Sequence, residues 1–147
     1  MITNKRINRI ISESIYKVIK ESEDGNKKIV DLISFLHNAQ LPVREIHWNT
    51  RRNSLHLLTD EILDSLLEWE DTLAESYLGD IDNANKLNIN QTKPSKNNKI
   101  NDEIKIILKE LIELTSEIKN QDNKAIAAVI DDILEKSNKY IYRANFI

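Results

Sequence analysis

Apolar residues recur at helical spacing along almost the whole chain, and this periodicity restricts the fold more than any other feature. Apolar stripes run through residues 4–22, 27–49, 55–78, 101–119 and 122–145. Only two Gly and two Pro interrupt the 147 residues, whereas β-proteins need more turn residues and more Val and Thr. We therefore expect an all-α protein, long enough to bury one core.

The breaks between the stripes predict how the helices are connected. The sequence DGN at residues 24–26 is expected to end a separate N-terminal helix, and Pro42 is expected to kink the next one. The polar, Asn- and Lys-rich stretch 82–99 predicts a long loop. The predicted fold is a four-helix bundle over residues 24–147, preceded by an additional N-terminal amphipathic helix over residues 1–23.

Composition and charge exclude several classes of function. The chain has no cysteine, so disulfides, thiolate zinc sites and cysteine nucleophiles are excluded. A formal net charge of −3 gives the molecule no basic field that would attract nucleic acid. No apolar run approaches the roughly 20 residues that span a bilayer, and the N-terminus lacks the pattern of a signal peptide. We expect a cytoplasmic location, or the interior of a virus-derived particle made in the cytosol.

The third predicted helix has ionisable side chains along one narrow arc. On a helical wheel, an arc of about 100° contains His56, Asp60, Asp64, Asp71 and Glu75. This arc borders a broad apolar face that includes Leu67 and Leu78. We therefore expect the ionisable groups to be partly buried, and burial requires that they be paired or bind a metal.

Four of these side chains form two pairs at the i, i+4 spacing that lets helical neighbours bind one ion. His56 and Asp60 are one pair, and Asp71 and Glu75 are the other, roughly 22 Å further along the helix. The pairs cannot share an ion within one subunit. Two copies of the helix packed antiparallel across a two-fold axis would bring them together and generate two equal sites. His47, near the end of the preceding helix, can supply a further nitrogen.

The mixed imidazole and carboxylate ligands suit iron, with zinc or manganese as substitutes, whereas calcium prefers oxygen alone. Iron suits redox chemistry, because two bridging carboxylates can hold a second ion and stabilise the ferric state. A di-iron site is one form of this prediction. The chain has no Glu-x-x-His pair of the kind that holds two irons within a single bundle, and this directs any metal to an interface.

The order of these residues resembles the ferroxidase signature of the Dps-type mini-ferritins. The signature elements are H-W at residues 47–48, H-x-x-x-D at 56–60 and D-x-x-x-E at 71–75. The closing segment ILEKSNKYIYRANF is also similar to the last helix of that family. The resemblance covers roughly residues 27–147 apart from the loop. The chain also resembles small phage proteins with an H-W-x-T…H…D…E pattern, so a phage-encoded branch of the family is one expectation.

The resemblance implies a ferritin-like four-helix bundle that binds iron. His47, His56 and Asp60 of one subunit would bind it together with Asp71 and Glu75 of the two-fold mate. The family oxidises Fe(II), often with hydrogen peroxide, and stores the product inside a shell of twelve subunits. The expected protein is therefore a ferroxidase for iron storage or oxidative protection, and a homo-oligomer, at least a dimer or a dodecameric shell.

Two alternatives stay open. A non-catalytic ferritin-like structural or interaction protein, such as a phage-encoded one, would dock through the N-terminal helix. That helix has an isoleucine stripe flanked by Lys and Arg. A nucleoid protein would bind DNA through charge, in a way that salt weakens steeply. Acidic residues interleave with the basic ones in the N-terminal helix, so DNA is the less favoured partner.

Three other side chains are expected to have structural roles. His37 has no acidic partner at helical spacing, so it is predicted to be structural or exposed. Trp48 and Trp69 are predicted to be packing residues rather than redox relays.

Overall fold

Four α-helices make up most of the chain in the computed structural model, which describes residues 3–80, 83, 87–91, 100–118 and 121–147. For residues 18–22, 100 and 101 only the backbone is described. The helices are α1 (Asn4–Asn49), α2 (Asn53–Leu78), α3 (Ile100–Ser116) and α4 (Lys124–Ala144). The described residues contain no strand, so the predicted all-α class is confirmed.

The predicted break at residues 24–26 is wrong, because α1 runs through it as one helix of 46 residues. One glycine inside a helix costs about 1 kcal/mol, which a helix of this length can absorb. The apolar stripes before and after the glycine are also in phase. Ile11 and Ile29 are separated by about five full helical turns, so they lie on the same line along α1. The predicted N-terminal helix is therefore the first part of α1, and the division at residues 23 and 24 falls inside this helix.

The helices pack as a ring in which each contacts two others. α1 contacts α2 and α3, and α4 contacts the same two helices. α1 and α2 are antiparallel, because residues 50–52 join them directly. α2 and α4 are also antiparallel, since Ser65 pairs with Tyr140 near the end of α4, whereas Trp69 pairs with Asp132 nearer its beginning. The end of α3 lies beside the first buried part of α1, because Lys28 Nζ donates to the Glu117 carbonyl at 3.4 Å. α3 is therefore antiparallel to α1, so α2 and α3 run in the same direction.

A long connection therefore crosses the bundle from the end of α2 to the beginning of α3, as predicted. Its described stretch, residues 87–91, lies along α1. The backbone N–H of Asn90 donates to the Ser34 hydroxyl at 3.0 Å, and the Asn38 side chain donates to the Asn90 carbonyl at 2.7 Å. Of the predicted loop, residues 82, 84–86 and 92–99 lie outside the described residues.

The core is formed by apolar side chains from all four helices. Those with almost no exposed surface include Leu32, Leu36, Ile62, Leu66, Leu73, Leu108, Leu111 and Ile133. The Asn123 side chain caps the beginning of α4, because it accepts hydrogen bonds from the N–H groups of Ala125 and Ile126. None of the helices in the described residues combines the length and apolar character needed to cross a membrane.

An ion pair joins α2 to the end of α4 at the surface. Two guanidinium nitrogens of Arg143 donate to the two carboxylate oxygens of Glu61, at 2.5 and 3.1 Å. This hydrogen bonding lowers the pKa of Glu61 from its ordinary value of 4.5 and outweighs burial, which raises it. The same pairing raises the pKa of Arg143. The pair therefore stabilises the fold only while Glu61 is ionised.

We expect Arg143→Gln to lower the free energy of unfolding at pH 7 by up to about 1 kcal/mol, because the pair is partly exposed. The pKa of Glu61 is lower in the folded than in the unfolded chain, so this stability is present above pH 4.5. It is lost as the pH falls through the folded-state pKa. Urea titrations at neutral and acidic pH measure it, with Arg9→Gln as the control at an exposed pair. An equal loss for Arg143→Gln at both pH values would contradict a charge effect.

Candidate metal centre

Two histidines meet where α1 ends and α2 begins. The imidazole rings of His47 and His56 stack with centroids 3.9 Å apart and an angle of 21° between their planes. The turn of residues 50–52 brings the last turn of α1 against the first turn of α2, which makes this contact. His47 is therefore beside the start of α2, as predicted.

Reciprocal hydrogen bonds hold the two rings. Nδ1 of His47 lies 3.0 Å from the carbonyl oxygen of His56, and Nδ1 of His56 lies 3.0 Å from the carbonyl oxygen of His47. A carbonyl oxygen only accepts, so each Nδ1 must carry the proton. In the neutral rings, Nε2 then has a free lone pair, and none of the described residues hydrogen-bonds to it. A backbone carbonyl that fixes the second ring nitrogen is typical of metal-binding histidines.

The predicted carboxylates follow α2 away from this histidine pair. Asp60, Asp64, Asp71 and Glu75 are all exposed in the single chain. The expectation of partial burial at the edge of an apolar face was wrong. α1 covers the side of α2 that bears Thr59, and α4 covers the side that bears Ser65. The acidic arc lies between these two sides and points away from the core.

Exposed leucines share the acidic arc of α2. Leu67 is 58% exposed, Leu57 is 53% exposed and Leu78 is 37% exposed. Leu67 and Leu78 were predicted to belong to the buried face, and this was wrong. On the helical wheel all three leucines lie within the same arc as His56 and the carboxylates. We call the outward arc of α2 from Asn53 to Leu78 the α2 stripe.

The described residues of a single chain contain no group of three or more His, Asp or Glu side chains that can hold a metal ion. His56 and Asp60 are separated from Asp71 and Glu75 along the same helix. The structure thus brings His47 and His56 together, but it leaves the two predicted ligand pairs of α2 apart. Any site that uses all five predicted ligands must take some of them from a second copy of the chain.

A second histidine–carboxylate contact was missed in the sequence. His37 Nδ1 of α1 lies 2.5 Å from a carboxylate oxygen of Glu70 on α2, and the Gln40 side chain donates to the other oxygen. The prediction considered partners of His37 on its own helix only. Glu70 comes from the neighbouring helix, so helical spacing contains no signal for it. His37 is exposed, as one of its two predicted alternatives had it.

The two tryptophans have different environments. Trp69 is 2% exposed, and its indole N–H donates to Asp132 at 2.8 Å, so its predicted packing role is confirmed. Trp48 is 67% exposed, with the Arg44 guanidinium 6.0 Å from its ring centroid. The prediction that Trp48 is a packing residue was therefore wrong for the single chain. The exposed indole of Trp48 forms an aromatic surface next to His47 in the chain.

The model of a family of unknown function (DUF5856) matches residues 47–143, about two thirds of the chain. The match begins at His47 and includes all five predicted metal ligands. The first part of α1 lies outside it. No curated protein and no solved structure matches the chain.

Proposed function

We propose that this chain, which belongs to the family of unknown function DUF5856, is a ferritin-like ferroxidase that binds Fe(II) between two subunits. Each site would contain His47, His56 and Asp60 of one subunit, with Asp71 and Glu75 of the other. The role would be iron storage or protection against peroxide, because oxidation removes both Fe(II) and the oxidant. Zinc or manganese would bind the same ligands as substitutes.

The observation that carries the proposal is that the α2 stripe is complementary to itself when two copies run antiparallel. One register pairs His56 with Glu75, Leu57 with Ala74, Asp60 with Asp71, and Asp64 with Leu67 of the other copy. All four pairs share one midpoint, between Ser65 and Leu66, as a two-fold axis requires. A single register therefore covers the exposed leucines and assembles both metal sites.

Charge supports a cation in this interface. The register places Asp60 against Asp71 and Glu75 of the other copy, and like charges brought together in an interface are unfavourable. Three carboxylates with two neutral imidazoles have a formal charge of −3. Two Fe(II) ions would offset this charge. The exposed position of the carboxylates in the single chain keeps them hydrated until the second copy and the metal arrive.

The topology supports the ferritin-like assignment. α1 and α4 run in one direction and α2 and α3 in the other, with a long crossover between α2 and α3. Ferritin-like bundles are four-helix bundles with one such long crossover connection. Fold alone does not define an activity, so the proposal depends on the site residues.

In the proposed reaction, two Fe(II) ions are bound and each gives one electron to hydrogen peroxide. The O–O bond breaks, two protons are taken up, and two water molecules and two Fe(III) ions result. The imidazole Nε2 atoms and the carboxylates bind the substrate ions next to each other. Anionic ligands stabilise Fe(III) more than Fe(II), so the carboxylates favour oxidation.

The second candidate function is a structural or interaction protein that docks through the first part of α1. The observation that favours it is an exposed isoleucine stripe outside the family match, formed by Ile7, Ile10, Ile11 and Ile15. Residues 3–17 are all exposed, and the buried apolar side chains described for α1 begin at Ile29. This candidate predicts no metal binding.

Anaerobic Fe(II) titration followed by peroxide tests the proposed function. We expect saturable binding of about two irons per site and rapid growth of ferric absorbance for the wild type. Asp71→Ala should lose both, whereas Asp131→Ala, which removes an exposed carboxylate from α4, should keep both. If all three proteins bind iron equally weakly, the carboxylates of the α2 stripe are a solvated surface and the second candidate is favoured.

A further inference from the structure

A buried threonine hydroxyl lies within hydrogen-bond distance of one histidine of the pair. Thr59 has no exposed surface, and its hydroxyl lies 3.1 Å from Nδ1 of His47. The same hydroxyl is 2.8 Å from the Leu55 carbonyl and 3.0 Å from the His56 carbonyl. Since both carbonyls only accept, the hydroxyl proton points to one of them. The hydroxyl oxygen then accepts the N–H of His47.

We propose that Thr59 is a positioning residue that holds the His47 imidazole with its proton on Nδ1 and its Nε2 lone pair free for a divalent metal ion. This inference rests on the proposed function for the metal, and on the described contacts alone for the tautomer. Thr59 is one residue before the predicted ligand Asp60, on the α1-facing side of α2. Its hydroxyl remains buried, so it positions a ligand without binding the metal.

The N–H at Nδ1 of His47 has two acceptors, the His56 carbonyl and the Thr59 hydroxyl, and they differ in whether another group shares them. The His56 carbonyl also accepts from Nδ1 of His47, but it lies within hydrogen-bond distance of the Thr59 hydroxyl as well, so it is a shared acceptor. The Thr59 hydroxyl has its own proton committed to the backbone, so its oxygen can only accept from His47. A methyl group in place of the hydroxyl leaves the His47 N–H one shared acceptor and puts an apolar group beside the ring. We therefore expect the ring to sample the other tautomer and other orientations.

The test compares Thr59→Val with two matched variants. Valine keeps the branched shape in the buried site, and Thr59→Ser restores the hydroxyl. Thr115→Val is the control, because Thr115 is also fully buried and its hydroxyl donates to the carbonyl four residues earlier, as that of Thr59 does. Thr115 lies on α3 and has no histidine neighbour among its described contacts. Circular dichroism checks that all variants stay helical.

Two readouts separate positioning from general stability. Long-range ¹H–¹⁵N NMR of the metal-free protein reports the tautomer of each of the three histidines. Calorimetric titration with Zn(II) reports metal affinity without redox chemistry. We expect Thr59→Val to increase the Nε2–H form of His47 and weaken zinc binding about 10- to 100-fold, the usual effect of losing a residue that orients a metal ligand. Thr59→Ser and Thr115→Val should match the wild type in both readouts.

An unchanged His47 tautomer in Thr59→Val would overturn the positioning role, and so would a changed tautomer with unchanged zinc affinity. Equal weakening by Thr115→Val would also overturn it, because that result would reflect stability alone. Failure of the wild type to bind zinc or iron contradicts the proposed function instead. The tautomer of His47 in the metal-free variants then still decides whether Thr59 fixes this ring.

Discussion

Leu67→Asp is expected to weaken the dimer by at least about 100-fold, which leaves monomers at micromolar concentration. In the proposed antiparallel dimer, Leu67 would lie next to the two-fold axis and face Asp64 of the other copy. A new carboxylate there is desolvated among carboxylates, and a buried unpaired charge costs about 3–5 kcal/mol. At about 1.4 kcal/mol per tenfold change, this removes about two to four orders of magnitude of affinity. Sedimentation equilibrium of the metal-free protein measures it.

The matched control is Ile11→Asp, because Ile11 is 52% exposed and Leu67 is 58% exposed. Both variants replace an exposed apolar residue with the same charge, so neither should disturb the core. If the α2 stripe forms the interface, only Leu67→Asp dissociates the protein. If Ile11→Asp dissociates it and Leu67→Asp does not, assembly depends on the first part of α1. That result would favour the docking candidate.

The second large effect is on oxidation of Fe(II). We expect His56→Ala and Asp71→Ala each to slow peroxide-driven oxidation by more than about 100-fold, because loss of residues that only orient metal ligands already costs about 10- to 100-fold in affinity or activity. Both side chains are exposed in the single chain, so the helical fold should remain. Stopped-flow ferric absorbance measures the rate. A normal rate in either variant would contradict the assignment of that residue.

Much of the fold could be predicted from the sequence, because apolar periodicity determines which face of each helix is buried. The all-α class and the long connection between α2 and α3 both followed from local patterns. The continuity of α1 through Gly25 was missed, because the glycine was interpreted as a helix breaker and the phase of the apolar stripe across it was not considered. Ile11 and Ile29 lie on one line along the helix, and this phase favoured one continuous helix.

The candidate metal centre was only partly predictable, because pair contacts between helices leave no trace in helical spacing. The contact of His47 with His56 followed from their places at the two ends of a short turn. The Glu70 partner of His37 and the Thr59 hydroxyl on His47 come from neighbouring helices, so a search along one helix misses them. Burial of the α2 stripe was also misjudged, because leucines on its wheel positions suggested a core face. Their exposure in the single chain is what the proposed dimer would cover.

Each proposed iron site takes ligands from two subunits, and a mixed dimer is the direct test of this arrangement. His56→Ala and Asp71→Ala chains with different affinity tags would be co-expressed, and the heterodimer isolated by both tags. The proposed dimer places His56 of one chain and Asp71 of the other chain in the same site. One site of the heterodimer then has both substitutions, and the other is intact.

The measurement is the rate and amplitude of peroxide-driven Fe(II) oxidation by this heterodimer. We expect fast oxidation at the wild-type rate with about half the wild-type amplitude, although each variant alone should be inactive. A heterodimer as inactive as the two single variants would contradict it, because sites confined to one chain would each still lack a ligand.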